Sequence, residues 1–233
     1  MEKIVGWLLS DKTQCPSDND NKFLVLPIVG MGGVGKTTLA QLVYNDVKFK
    51  KHFHLKAWVC VSEDFDVVRL TKEILESITR SSPPPNSLDL LQVKLQEALR
   101  EKRFLLVLDD MWNENYERWD AFSTAFAFGT PGSKILVTTW NKGDASIVRT
   151  VPNDHCLKVL LDEACFALLR RHAFMEENTS NINKKMELFG QEIVKKCKGL
   201  PLAVKTLASL LRDKRESNQW KAILENEIQD LRE

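Results

Sequence analysis

The chain has 233 residues, enough for one large or two small domains and for a sizeable core that needs no disulfide support. Hydrophobic residues make up 43% and charged residues 28%, with 33 basic against 32 acidic side chains and a formal charge of +1. That balance excludes a disordered chain, an acidic tail and a protein that grips nucleic acid through overall positive charge.

Five cysteines, Cys15, Cys60, Cys156, Cys165 and Cys197, are odd in number and scattered, with no C-x-x-C pair and no histidine cluster at metal spacing. They predict a reducing, cytoplasmic type of compartment. In the opening MEKIVGWLLSDK, Glu2 and the lack of a small-residue cleavage site argue against a signal peptide. No run approaches the ~18–20 apolar residues of a transmembrane segment, so a soluble protein is expected.

In chain order, Phe23 to Val29 (FLVLPIV) is the apolar, β-branched run of a strand buried on both faces. A glycine-dense turn follows, and Thr37 to Tyr44 then takes helical spacing. Ala57 to Val61, Phe104 to Leu108, Ile135 to Thr138 and His155 to Leu161 predict four further parallel strands. Asp66 is placed to cap a helix carrying Val67, Leu70, Ile74 and Ile78, and Ser87 to cap another carrying Leu88, Leu91, Leu95 and Leu99. Between them, the prolines of Ser81 to Ser87 predict a stiff exposed loop. Buried strands alternating with amphipathic helices predict a three-layer α/β domain over residues 1–161. After Leu161 only helical patterns remain: Ala164 to Phe174, Lys184 to Lys198, Leu202 to Leu211 and Trp220 to Ile228, a small helical bundle over 162–233.

The segment Gly30-Met-Gly-Gly-Val-Gly-Lys-Thr-Thr38 satisfies G-x-x-x-x-G-K-[ST] between a strand and a helix, the context in which it is a phosphate-binding P-loop. Gly30, Gly32, Gly33, Val34 and Gly35 would turn successive backbone N–H groups inward at a helix N-terminus. Lys36 is expected on the β- and γ-phosphates of ADP or ATP, Thr37 on Mg²⁺ and Thr38 near the α-phosphate. The run Leu105 to Asp110 ends an apolar strand in two carboxylates, at the edge where open α/β sheets bind ligands. Such acids can merely cap the next helix, but downstream of a P-loop Asp109 is expected to hold Mg²⁺ and Asp110 to orient or deprotonate a water.

These residues resemble the NB-ARC module of plant intracellular nucleotide-binding, leucine-rich-repeat immune receptors of the coiled-coil type. Besides GMGGVGKTT, the matching stretches are FHLKAWVCVSEDFDV (Phe53 to Val67), LLVLDDMW (Leu105 to Trp112), GSKILVTT (Gly132 to Thr139), LDEACFALLRRHAF (Leu161 to Phe174) and CKGLPLAVKTLASLLR (Cys197 to Arg212). The resemblance implies the nucleotide-binding domain of a signal-transduction ATPase followed by the first ARC subdomain, and it places Pro201 against the adenine base. Gly199 and Pro201 also read locally as a helix stop and a helix start. His172 and Trp220 read as packing residues.

One position departs from the family pattern. Where the family carries arginine after GSKI-V-TT, on a strand between the P-loop strand and the Asp-Asp strand, this chain has Trp140. Indole offers one N–H and no charge, so the site is expected to keep diphosphate, to discriminate triphosphate poorly and to hydrolyse slowly. By the same resemblance, the family's upstream glycine-arginine segment, its winged-helix subdomain and its repeats fall outside these 233 residues. The leading expectation is an ADP/ATP-binding switch module that contacts other receptor domains and needs no nucleic acid. The alternatives are a degenerate interaction fragment and a small-molecule P-loop kinase.

Overall fold

The computed structural model describes residues 2–10, 23–62, 64–81, 87–112, 115–173, 184–212, 214 and 216–226. They fall into two compact units, one of Met1–Gly30 with Lys36–Leu157 and the other of Met31–Gly35 with Lys158–Glu233.

The first unit is a five-stranded parallel sheet in the order β2-β3-β4-β1-β5, with β1 at Phe23–Val29, β2 at Leu55–Ser62, β3 at Phe104–Met111, β4 at Ser133–Thr139 and β5 at His155–Cys156. Side chains alternate across a strand, and here they sort into two cores. Leu106, Leu108, Ile135 and Val137 join one apolar cluster with α3 (Val67–Thr79), α4 (Leu88–Leu99) and Trp119 and Phe122 of α5 (Tyr116–Ser123). Leu105, Val107 and Leu136 join the other, with α1 (Glu2–Leu9) and α2 (Lys36–Tyr44). Helices therefore cover both faces, which is the expected three-layer α/β architecture. A helix of seven residues in the same unit, α6 (Lys142–Val148), follows β4.

Proline is uncommon inside a sheet because it lacks the ladder N–H. Here Val25 N donates to Thr150 Oγ1 (2.7 Å) and Leu157 N donates to Val29 O (2.7 Å), so residues 25 and 29 use the side of β1 facing β5. Pro27 shares that side, and β5 pairs with β1 only from Ile28 onward. The strand loses no ladder bond there.

Three expectations change. The run His155 to Leu161 is a strand only at His155–Cys156, because beyond it Leu160 N bonds to Gly199 O at 2.9 Å instead of to β1. Asp66 caps α3, accepting from Val68 N (2.8 Å) and Arg69 N (3.2 Å), whereas Ser87 precedes α4 without a side-chain cap bond. Helices α1, α5 and α6 are additional to those read from the sequence. The proline-rich connection lies, at 82–86, outside the described residues.

The second unit is helical: α7 (Asp162–Ala173), α8 (Lys184–Lys196), α9 (Pro201–Leu211) and α10 (Ser217–Asn226). Its core gathers Cys165, Leu169, Ile193, Val194, Val204, Leu207 and Trp220. Trp220 is a packing residue, as expected, with its indole N–H on Lys214 O (3.1 Å). His172 is exposed. Among the described residues no helix is long and apolar enough to cross a membrane.

Candidate functional site

Parallel strands bring their C-terminal ends to one edge, and there the first unit gathers its polar groups. Lys36 opens α2 directly after the loop, and its ammonium donates to Gly30 O at 2.9 Å. Burial pushes its pKa down, and the Asp110 and Asp109 carboxylates pull it back up. Thr37, one residue on, donates through Oγ1 to Asp109 Oδ1 at 3.0 Å. The same oxygen accepts from Thr138 Oγ1 at 2.6 Å. Asp109 is 6% exposed, and this pair of hydroxyls satisfies its Oδ1. Thr38 is exposed on the first turn of α2.

Asp110 differs from its neighbour. It is exposed, and its backbone is left-handed at φ 56°, a conformation that Asp tolerates better than most residues and that costs roughly 1–2 kcal/mol. Its N–H donates to Thr138 Oγ1 at 2.9 Å, and Trp112 Nε1 donates to its Oδ1 at 3.3 Å. The two acids do not cap the following helix. Asn115 does so, accepting from Arg118 N. Trp140 lies just past β4 and packs edge-to-face on Trp112 with ring centroids 5.6 Å apart. β4 lies between β1 and β3, the place expected for it.

In the second unit the loop residues 31–35 pack with the start of α9. Gly33 has φ +74° and Gly35 φ +101°, and Gly33 O accepts from Leu202 N at 3.2 Å. Val34 is buried. A Cβ added at Gly32 or Gly35 would meet nothing within 4 Å, so the loop backbone is open at both. A cavity of about 340 Å³ is lined by Gly32, Gly33, Leu200, Leu202, Ala203 and Thr206, with others of α9. Pro201 is the first residue of α9 and is half-buried beside this lining.

Lys36, Thr37, Asp109 and Asp110 thus lie together at one edge of the sheet. Two further participants lie outside the P-loop and the paired acids. Thr138 stands within the GSKILVTT stretch, 29 residues from Asp109, but nothing in the sequence ties its hydroxyl to that acid. Trp112 stands within the LLVLDDMW stretch, but nothing in the sequence ties its indole N–H to Asp110.

The chain matches the NB-ARC domain over residues 1–179. It belongs to the NB-ARC family. It is 46% identical over 209 residues to disease resistance protein RGA2 of Solanum bulbocastanum, covering 89% of this chain and 21% of that protein. It is 34% identical over 232 residues to disease resistance RPP13-like protein 4 of Arabidopsis thaliana, covering 99% of this chain and 26% of the relative. This NB-ARC chain therefore spans about a fifth to a quarter of such relatives. Solved structures share its fold: a chain of Drosophila ORC bound to DNA (TM-score 0.68, 11% identity, 97% of this chain and 60% of that one) and Cdc6p from Pyrobaculum aerophilum (0.62, 19%, 89% and 59%).

Proposed function

We propose that this NB-ARC chain is an ADP/ATP-binding switch module of a plant intracellular immune receptor, with slow hydrolysis. The observation that carries the reading is the bonding of Asp109 Oδ1 to both Thr37 and Thr138, which ties the helix after the P-loop to the ends of β3 and β4. Backbone N–H groups of Gly32, Gly33, Val34 and Gly35 would receive phosphate, the open Cα positions of Gly32 and Gly35 leave room for it, and Lys36 would exchange Gly30 O for phosphate oxygens. Thr38 would bond near the α-phosphate, and Pro201 would face the purine.

The hydroxyl of Thr37 and the carboxylate of Asp109 are hard oxygen donors 3.0 Å apart, a set that suits Mg²⁺ bound through few protein ligands. Bound there, the ion would neutralise phosphate charge. Asp110, beside them on β3, would orient the attacking water. ADP and ATP would switch the module only through different affinities for its states, so rapid turnover is not required. Trp140 supplies no cation for a terminal phosphate, which makes comparable ADP and ATP affinities part of the reading.

Acid extraction of the purified chain, with identification of the released nucleotide, tests the function. Stoichiometric ADP is expected, and Lys36→Ala abolishes its retention because the phosphates then face backbone donors alone. Titration calorimetry should give ADP and ATP affinities within a few-fold. An empty site that stays empty with added ADP and Mg²⁺ contradicts the reading, as does full retention by Lys36→Ala.

A further inference from the structure

Asp110 is held from several sides before any ligand arrives. Its main chain is fixed by the 2.9 Å bond from its N–H to Thr138 Oγ1, and its φ of 56° aims the side chain from a turn that ordinary strand geometry would not produce. The carboxylate accepts from the Trp112 indole N–H through Oδ1 at 3.3 Å. Trp112 is itself 45% exposed, so the core does not lock its ring. What packs on it is Trp140, 53% exposed, edge-to-face at 5.6 Å with planes 63° apart. Aromatic pairs favour this geometry beyond the area they bury.

We infer that Trp140, acting through Trp112, is a positioning residue for Asp110. The residue at the tip of β4 therefore has an assignable role although it carries no charge: it fixes the indole that fixes one carboxylate oxygen of the acid proposed to orient the water. The inference rests on the proposed nucleotide site, and it adds to that site a specific means of orientation. Such orientation matters most in the chemical step, because a misplacement of about 1 Å can cost on the order of 100-fold in rate while leaving ground-state binding intact.

The experiment compares the full chain with Trp140→Ala, Trp140→Phe, Trp112→Phe and the Trp112→Phe/Trp140→Ala pair. It measures single-turnover ATP hydrolysis, ATP affinity by calorimetry, and near-ultraviolet circular dichroism without nucleotide. Trp140→Ala and Trp112→Phe are each expected to slow hydrolysis by about tenfold, within the range that misplacement allows, with the ATP Kd changed less than about twofold. The double variant should be no slower than the slower single one. Trp140→Phe should restore the wild-type rate, since a phenyl ring still packs edge-to-face. The dichroic signal of the paired indoles should vanish in Trp140→Ala and Trp112→Phe.

A Trp140→Ala chain with an unchanged rate overturns the inference, and so does Trp140→Phe slowed as far as Trp140→Ala, or rate effects of the two sites that simply multiply. Uptake of ATP with no measurable turnover in the wild-type chain also overturns it while leaving the nucleotide site standing. A chain that takes up neither ADP nor ATP overturns the proposed function and this inference together, and the calorimetry separates those two failures.

Discussion

Of the adjacent glycines in the P-loop, only Gly33 is demanded by the fold. At φ +74° an L side chain is strained, and a Cβ there would fall 2.9 Å from Leu202 Cβ. At Gly32 a Cβ would meet nothing within 4 Å, and no positive φ is required. The two therefore separate the needs of the chain from those of its ligand. Gly33→Ala is expected to lose at least ~1–2 kcal/mol from backbone strain alone, a fall in Tm of roughly 2–8 °C for a chain of this size. Gly32→Ala should melt within about 1 °C of wild type yet show no stabilisation by ADP, since its methyl occupies the space that the open loop offers to phosphate. Thermal melts with and without ADP and Mg²⁺ check both. A Gly32→Ala chain that still gains the full ADP shift would place the phosphate elsewhere.

Helix starts show how far local sequence reaches. Asp66 and Ser87 both precede apolar helical patterns, and both are good cap residues. Asp66 bonds Val68 N and Arg69 N, while Arg69 in turn donates to Val61 O (2.6 Å) and Asp64 O (3.1 Å), tying the end of β2 to the start of α3. Ser87 has no such bond. Asp66→Ala should cost about 1 kcal/mol in urea unfolding, whereas Ser87→Ala should stay within roughly 0.5 kcal/mol. Equal losses would show that cap identity matters less than position.

The same contrast governs legibility. Strands β1, β3 and β4 could be read because they are apolar runs buried almost throughout, β2 because Ala57, Val59 and Val61 alternate into the core between half-buried Trp58 and exposed Cys60, and the P-loop because its residues are consecutive. The run ending at Leu161 misleads, since Val159, Leu160 and Leu161 are 48%, 36% and 77% exposed and no strand beyond Cys156 pairs with β1. Helix α1 offers only eight residues, too short for periodicity to stand out. The bonds of Thr138 and Trp112 to the paired acids depend on how strands align and on how a loop turns, which spacing along the chain does not encode.

At the scale of the whole molecule, stability has to survive changes of charge, and the helical unit carries a group that makes it vulnerable at high pH. Cys60 and Cys156 are exposed, whereas Cys165 and Cys197 are buried in the core of the second unit. Burial, reinforced by the neighbouring Cys165, pushes the Cys197 thiol up to about 11 from an ordinary value of 9.0. The folded chain therefore keeps this proton at a pH where the unfolded chain has lost it. The stabilisation is fully present below pH 9.0 and is lost as pH rises through about 11. Over that window the free energy of unfolding should fall by up to about 1.4 kcal/mol per pH unit from this thiol. Cys165, whose thiol is also raised by burial, adds to the loss in the same direction. Urea unfolding at pH 7.5, 9 and 10.5 measures the slope. Cys197→Ala should begin slightly less stable at pH 7.5, because it removes a buried sulfur, and should then lose less stability on the way to pH 10.5 than the wild-type chain. Parallel pH profiles for the two would mean that the alkaline loss arises outside this core.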